Sequence, residues 1–278
     1  MATRTAFICA ALIIGSVVWA GIRIFKYAMA SLTSCAEDES RSETSEASNI
    51  DDSPFQARIV HFPVFDCTLL VLCLHGFGQN LRASENIARA VAADMKREDA
   101  AIVALQGDTR IGYNSYVFGG KDTTLEDTAT LLYQESLRIC QQYAWPEPHE
   151  TQGIRVVLLG YSAGALTAAS CYLFQDHPPR KVFAIAGRFM SRETWESLYP
   201  TWTNRELTAP NSALVCHHGR TDNVWNWRSA QQEYQVLVEL TSGTLMQSFQ
   251  LHEQADHVSI LARVLPIIAA EIDAIEDI

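Results

Sequence analysis

An α/β architecture, with a mostly parallel central sheet and helices on both of its faces, is predicted by two observations. Beyond residue 54, short runs of β-branched residues and leucine alternate with segments of helical period. The runs are also apolar almost throughout, as strands covered on both faces require. They are Thr68–Leu74, Ala101–Leu105, Ile154–Leu159, Lys181–Ala186, Ser212–Cys216 and Leu245–Leu251. Helical patterns fall between them at Ser84–Arg97, Leu125–Tyr143, Ala163–Gln175 and Arg228–Leu240, with a last helix over Val258–Ile275. A chain of 278 residues holds one such domain and some terminal sequence. Sheets of this kind place their chemistry in loops at the carboxyl ends of the strands.

Composition narrows the function classes. Apolar residues make up 48% of the chain and charged ones 19%, enough for a large core. The net charge of −11, without a basic stripe in the domain, disfavours nucleic acid as a partner. The seven cysteines show neither CxxC pairs nor His-Cys metal spacing. Contexts such as Val71-Leu72-Cys73-Leu74 make them small core hydrophobes, and no metal site is expected.

The first fifty residues differ from the rest. Thr5 to Ile22 is a run of eighteen uncharged residues between Arg4 and Arg23. As a helix it would be about 27 Å long, at the lower edge of a membrane span. Residues 1–30 therefore read as an N-terminal hydrophobic segment, either a single-pass signal anchor or a cleaved signal peptide. The domain would then be membrane-anchored or enter the secretory pathway. Basic residues on both sides of the run leave its orientation open. Residues 31–53, acidic and serine-rich from Glu37 onward, are expected to be a disordered linker, since they have little apolar surface to bury. The folded domain is placed at 54–278.

The chemistry is concentrated in a few loops. Gly160-Tyr161-Ser162-Ala163-Gly164 follows one predicted strand and opens the next helix. A turn this tight lifts the Ser162 hydroxyl above the sheet, and a Cβ at either glycine would strike a neighbouring element. A serine nucleophile needs a base, and the base needs an orienting carboxylate. Asp222 and Asp256 both lie after Ser162 with a histidine still to come, and Asp222 follows a strand end. His252 closes a strand, whereas His257 lies in a loop from which an imidazole can reach back over the sheet. His257 is therefore the expected base. The oxyanion needs backbone donors, for which the amides of Ala163 and Phe77 are expected. Phe77 lies in Leu74-His75-Gly76-Phe77-Gly78-Gln79, where His75 is expected to hold the loop.

Together these segments resemble the phospholipase/carboxylesterase group of α/β hydrolases, which includes the acyl-protein thioesterases. The stretch Leu72–Asn80 is also similar to the FSH-type serine hydrolases. Further matches are Leu159–Gly164, His218-Gly219-Arg220-Thr221-Asp222 and Asp256-His257. The resemblance spans about residues 68 to 270. It implies the α/β-hydrolase fold and a hydrolase of carboxylic esters or thioesters that needs no cofactor. It further implies a Ser162, Asp222 and His257 triad with Phe77 and Ala163 as oxyanion donors. Two departures bear on substrate choice: Ala163 stands where the group has Gln, and Val224-Trp225-Asn226-Trp227 is bulky where the group is small.

The pocket is less defined. Ile111–Gly120 is too glycine-rich for regular structure, and its Tyr113 and Tyr116 either line the site or pack at the domain edge. Trp225 and Trp227 are further candidate walls for a small acyl ester or acyl-thioester substrate. Arg188–Pro210, with Phe189, Trp195, Tyr199 and Trp202, reads either as a cover for the acyl pocket or as core packing. The alternative from another class is a catalytically silent, membrane-tethered binding domain.

Overall fold

A computed structural model describes residues 53–120, 123–148, 153–174, 178–198, 213–240 and 246–276. All of them lie in one structural unit, Asn49–Ile278. The expectations for the segment at 1–30 and the linker up to residue 52 fall outside the described residues, as do Tyr199 and Trp202. Among the described residues, no helix is long and apolar enough to cross a membrane.

The strands are β1 (Gln56–His61), β2 (Leu69–Leu74), β3 (Ala100–Gln106), β4 (Thr109–Gly112), β5 (Ser115–Val117), β6 (Arg155–Tyr161), β7 (Lys181–Ile185), β8 (Ala213–Gly219) and β9 (Met246–His252). The helices are α1 (Leu81–Asp94), α2 (Leu125–Gln142), α3 (Ala163–Phe174), α4 (Arg192–Leu198), α5 (Trp227–Leu240) and α6 (Ser259–Asp273). Within the described residues a sheet runs in the order β1-β3-β2-β6-β7-β8-β9. Only the edge strand β1 is antiparallel to its neighbour. The predicted mostly parallel sheet, covered on both faces, is what the chain forms.

Alternate residues of the central strands feed two separate cores. Leu70, Leu72, Leu158, Val182 and Leu214 pack under α2, α3 and α5. On the opposite face Leu69, Val71, Val157, Phe183 and Val215 pack under α1 and α6. Each fully buried side chain of this kind stabilises the fold by about 1.5–3 kcal/mol. The described cysteines (Cys67, Cys73, Cys140, Cys171 and Cys216) are unpaired and buried.

Some boundaries differ from those predicted. Helix α1 starts at Leu81 because Asn80 caps it, its side chain accepting the Arg82 amide at 3.1 Å. Strand β8 runs past Cys216 through His217, His218 and Gly219, so Asp222 stands three residues beyond its end rather than six. The segment read as irregular contains the β4–β5 hairpin. Asn114 takes the left-handed turn position, with φ of 49°. Tyr116 exchanges backbone hydrogen bonds with the loop after β2: it donates to Gln79 O at 2.8 Å and accepts from Gly78 N at 3.1 Å.

Two buried imidazoles tie strand ends together. His75 Nε2 accepts the Gly107 amide at 3.0 Å while Nδ1 faces Gly76 O at 2.7 Å, so the loops after β2 and β3 share one side chain. This is the loop-holding role expected of His75. His217 Nδ1 lies 3.1 Å from His252 Nε2, joining β8 to β9. Burial pushes both the His75 and His217 imidazoles down to about 4. They are neutral in the fold and take up a proton on unfolding. Between pH 6.5 and about 4 the unfolded state thus binds more protons, and stability falls as pH falls through that window. Each imidazole contributes up to about 1.4 kcal/mol per pH unit there. Denaturant unfolding at a series of pH values should show this slope, and His75→Gln should reduce it. An unchanged slope in that variant would mean that His75 is charged in the folded protein.

Candidate active site

The carboxyl ends of β2, β6, β7, β8 and β9 lie side by side. Register places Leu74 against Gly160, Tyr161 against Ile185, Ile185 against His217, and Gly219 against His252. The loops leaving these ends therefore emerge over one edge of the sheet.

Ser162 follows β6 directly, with a left-handed φ of 54°. A non-glycine residue in that region is strained and must be held there by its surroundings. The surroundings are unusually close. A Cβ at Gly160 would lie 2.1 Å from Gly164 O, and one at Gly164 would lie 2.5 Å from His75 O. The elbow is thus clamped between the first turn of α3 and the end of β2. The Ser162 amide donates to Ile185 O at 2.8 Å, and Ser162 O accepts from Ala165 N at 3.1 Å.

The histidine and the acid meet this serine. His257 Nε2 lies 3.0 Å from Ser162 Oγ, and His257 Nδ1 lies 2.8 Å from Asp222 Oδ2. The Asp222 side chain is fully buried. Its Oδ1 accepts the amides of Val224 and Trp225, both at 2.8 Å, which supplies donors for a buried charge. With Nδ1–H given to Asp222, Nε2 is left as the acceptor that faces the serine hydroxyl. His252 is paired with His217 instead, and Asp256 caps the following turn by accepting Val258 N and Ser259 N.

Two further side chains join this grouping, and sequence reasoning had not singled them out. Tyr161 O–H donates to the carbonyl of His257 at 3.0 Å, with the two rings 5.4 Å apart. His218 is buried, with Nε2 3.1 Å from Trp225 O and 3.5 Å from Asp222 Oδ2. Burial lowers its imidazole pKa and outweighs the opposing influence of Trp225 O and Asp222. The polarity of both residues inside otherwise apolar strands was the one available signal.

The loop after β2 borders the serine. A Cβ at Gly76, the residue before Phe77, would stand 3.1 Å from the Ser162 Cβ. Among the described residues no acceptor takes the amide of Phe77 or of Ala163, the two expected oxyanion donors. The pocket candidates separate. Tyr113 is 93% exposed at the hairpin tip, where it walls nothing among the described residues. Tyr116 is half-buried and fixed to the β2 loop. Trp225 is half-buried, with its amide on Asp222, and has the Arg188 guanidinium 5.5 Å from its ring. Trp227 opens α5, with Arg220 and Arg228 at 5.1 and 4.5 Å. Phe189 and Trp195 are buried in the core, so core packing is the reading that holds for these two.

The arrangement can pass a proton from serine to imidazole while a buried carboxylate steadies the cation that results. No described cysteine competes for the role of nucleophile. Burial pushes the thiols of Cys67, Cys73 and Cys140 up to about 11, 12 and 12, and raises those of Cys171 and Cys216 too.

No family model and no curated protein matches the chain by sequence. Solved structures do. The chain is similar to a carboxylesterase from Bacillus cereus, with a TM-score of 0.57 and 15% identity over 79% of this chain and 93% of that one. A carboxylesterase from Mesorhizobium loti aligns with a TM-score of 0.55 at 15% identity, over 79% and 97% of the two chains. The acyl-protein thioesterase 2 of Zea mays aligns with a TM-score of 0.51 at 14% identity, over 78% and 98%. Likeness at such low identity speaks for architecture, and together with the sheet order and the turn at Ser162 it establishes that this chain has the α/β-hydrolase fold.

Proposed function

We propose that the protein is a serine hydrolase that cleaves carboxylic esters or thioesters through an acyl-enzyme. The observation that carries this reading is the contact series from Ser162 Oγ to His257 Nε2 and from His257 Nδ1 to Asp222, at 3.0 and 2.8 Å. In the proposed cycle Ser162 Oγ attacks the substrate carbonyl carbon as His257 Nε2 takes its proton. The carbonyl oxygen becomes an oxyanion and is met by the amides of Phe77 and Ala163. Collapse of the tetrahedral species breaks the bond to the alcohol or thiol, which leaves with the proton held by His257. Water, deprotonated by the same imidazole, then attacks the acyl-serine and frees the acid. The structural neighbours that bear esterase and thioesterase names support this class of bond.

The uncharged run from Thr5 to Ile22 supports the further reading that residues 1–30 tether the domain to a membrane or direct it into the secretory pathway. Sedimentation of the full chain with membranes, or a shortened product in the medium, would separate the two routes.

A fluorophosphonate probe should label the protein covalently, and Ser162→Ala should abolish both labelling and turnover. His257→Ala should lose several orders of magnitude in kcat, whereas His252→Ala should lose little. Asp222→Asn should cost on the order of 10⁴-fold, because an amide favours the other imidazole tautomer. Full labelling of the Ser162→Ala variant would refute the proposal.

Acyl preference provides a second check. Each buried methylene adds about 0.8 kcal/mol while room remains, and each one pressed against a wall costs about 1–3 kcal/mol. With Trp225 held at the site by Asp222, kcat/KM should rise over the first few acyl carbons and then fall. Trp225→Ala should move the optimum to longer chains. A wild-type profile still climbing at sixteen carbons would rule out Trp225 as the limiting wall.

A further inference from the structure

Three guanidinium groups stand against the two indoles of the loop that carries Asp222, in a chain whose net charge is −11. They are not equivalent. Arg220 pairs with exposed Glu253 at 2.8 Å, and Arg228 is an exposed residue at the start of α5. Arg188 is held through its Nε and lies against one indole.

Its backbone is set by the elbow. It lies three residues beyond Ile185, whose carbonyl holds the Ser162 amide at 2.8 Å. At the intervening Gly187 a Cβ would come within 2.4 Å of the Ala165 Cβ, so this strand end is laid directly against the start of α3. Its side chain is set by α5. Arg188 Nε donates to Glu233 Oε1 at 2.7 Å, and Glu233 Oε2 is already taken by the Phe189 amide at 2.9 Å. Trp225, whose amide is held by Asp222, lies 5.5 Å from the guanidinium. Among the described residues no acceptor takes the two terminal Nη groups, and half of the side chain is exposed.

A guanidinium can meet a carboxylate with two parallel hydrogen bonds from either its Nε–Nη or its Nη–Nη edge, but Glu233 gives one oxygen to Nε and the other to the Phe189 amide. Here the carboxylate takes Nε and leaves the forked edge unspent, next to the residue that fixes the acid loop. The fork matches the two oxygens of a carboxylate, and its planar geometry holds it ready at little further entropic cost.

We propose that Arg188 is a specificity-determining residue that binds a carboxylate on the substrate, so that the favoured substrates are esters or thioesters carrying a free carboxylate. This rests on the hydrolase reading above. The carboxylate can sit at the far end of the acyl group or on the alcohol, and the two sources are separable by experiment.

The full-length protein is assayed with matched pairs. In the acyl arm monomethyl glutarate is compared with methyl pentanoate. In the alcohol arm 4-butyryloxybenzoate is compared with 4-butyryloxybenzamide. In one arm the anionic member should be favoured in kcat/KM by about 10- to 100-fold, the worth of a charge-assisted hydrogen bond. Arg188→Gln should bring that ratio close to one, Arg188→Lys should leave it intermediate, and Arg188→Glu should invert it. A purely structural role would lower both members of a pair together and leave the ratio where it was. If neutral esters turn over and neither arm favours the anion, or if Arg188→Gln keeps the preference, the proposal fails while the hydrolase reading stands. If none of the four esters turns over and Ser162 takes no fluorophosphonate, the hydrolase reading fails and this one with it.

Discussion

The site depends on one close approach of backbone to backbone, where the end of β2, the turn after β6 and the first turn of α3 meet. Ser162 sits in a left-handed conformation that costs of order 1–3 kcal/mol and persists only if its surroundings dictate it. They do so by leaving no room. Any side chain at Gly160 or Gly164 would lie within 2.5 Å of a neighbouring carbonyl oxygen. The amide and carbonyl of the serine are meanwhile spent on Ile185 and Ala165. The same approach brings Gly76 against the serine Cβ, so the loop expected to supply an oxyanion donor is positioned at the strained residue.

Asp222 and His257 are held by a second device of the same kind. The loops after β8 and β9 are laced through their backbones. Arg220 N donates to His252 O, Thr221 N and Thr221 Oγ1 both donate to Ala255 O, and a Cβ at Gly219 would lie 2.2 Å from Ala255 O. Asp222 and His257 thus belong to one joined unit rather than to two loops that must find each other. That unit is in turn fastened to the elbow by the Tyr161 hydroxyl on the His257 carbonyl. The residue just before Ser162 therefore fixes the backbone of the residue facing that serine. The distance from Ser162 to His257 is set within the fold, as the hydrolase reading requires of two groups that must act together.

Much of this was legible in the sequence, for reasons that differ from one element to the next. Strands buried on both faces declare themselves by unbroken apolar runs, so β2, β3, β6 and β7 stood out. Strand β1 did not, because it is an edge strand whose side chains are half-exposed, and QARIVH carries no clear pattern. The end of β8 was hidden by His217, His218 and Gly219, polar or small residues that are nonetheless buried. The glycines of the β4–β5 hairpin read as a loop, yet its turn uses Asn114 and β5 bridges to Gln79 through Tyr116. Ser162, Asp222 and His257, which the fold brings into contact, each sit in a local motif next to a strand end and so could be picked out in the sequence. The contacts of Arg188 with Glu233, 45 positions away, and of Tyr161 with His257, 96 positions away, are tertiary and leave no trace in either local segment.

The two tryptophans after Asp222 show what the fold adds to such a reading. As sequence they are bulky apolar residues and suggest walls for an acyl chain. In the fold both carry guanidinium groups within 5.5 Å of their rings, and the Trp225 amide is engaged by the buried carboxylate of Asp222. An indole face attracts a cation through its quadrupole, and on an exposed surface that attraction is worth about 0.5–1 kcal/mol. This is enough to bias where a flexible arginine rests, although it does not neutralise the charge. Glu233 does neutralise it in part, but through Nε, and so orients the group more than it satisfies it. An acidic protein with no basic stripe in its sequence thereby gathers three guanidinium groups on the two tryptophans that follow Asp222. The bulk that distinguishes this loop from that of the group it resembles is thus also a surface on which guanidinium groups rest.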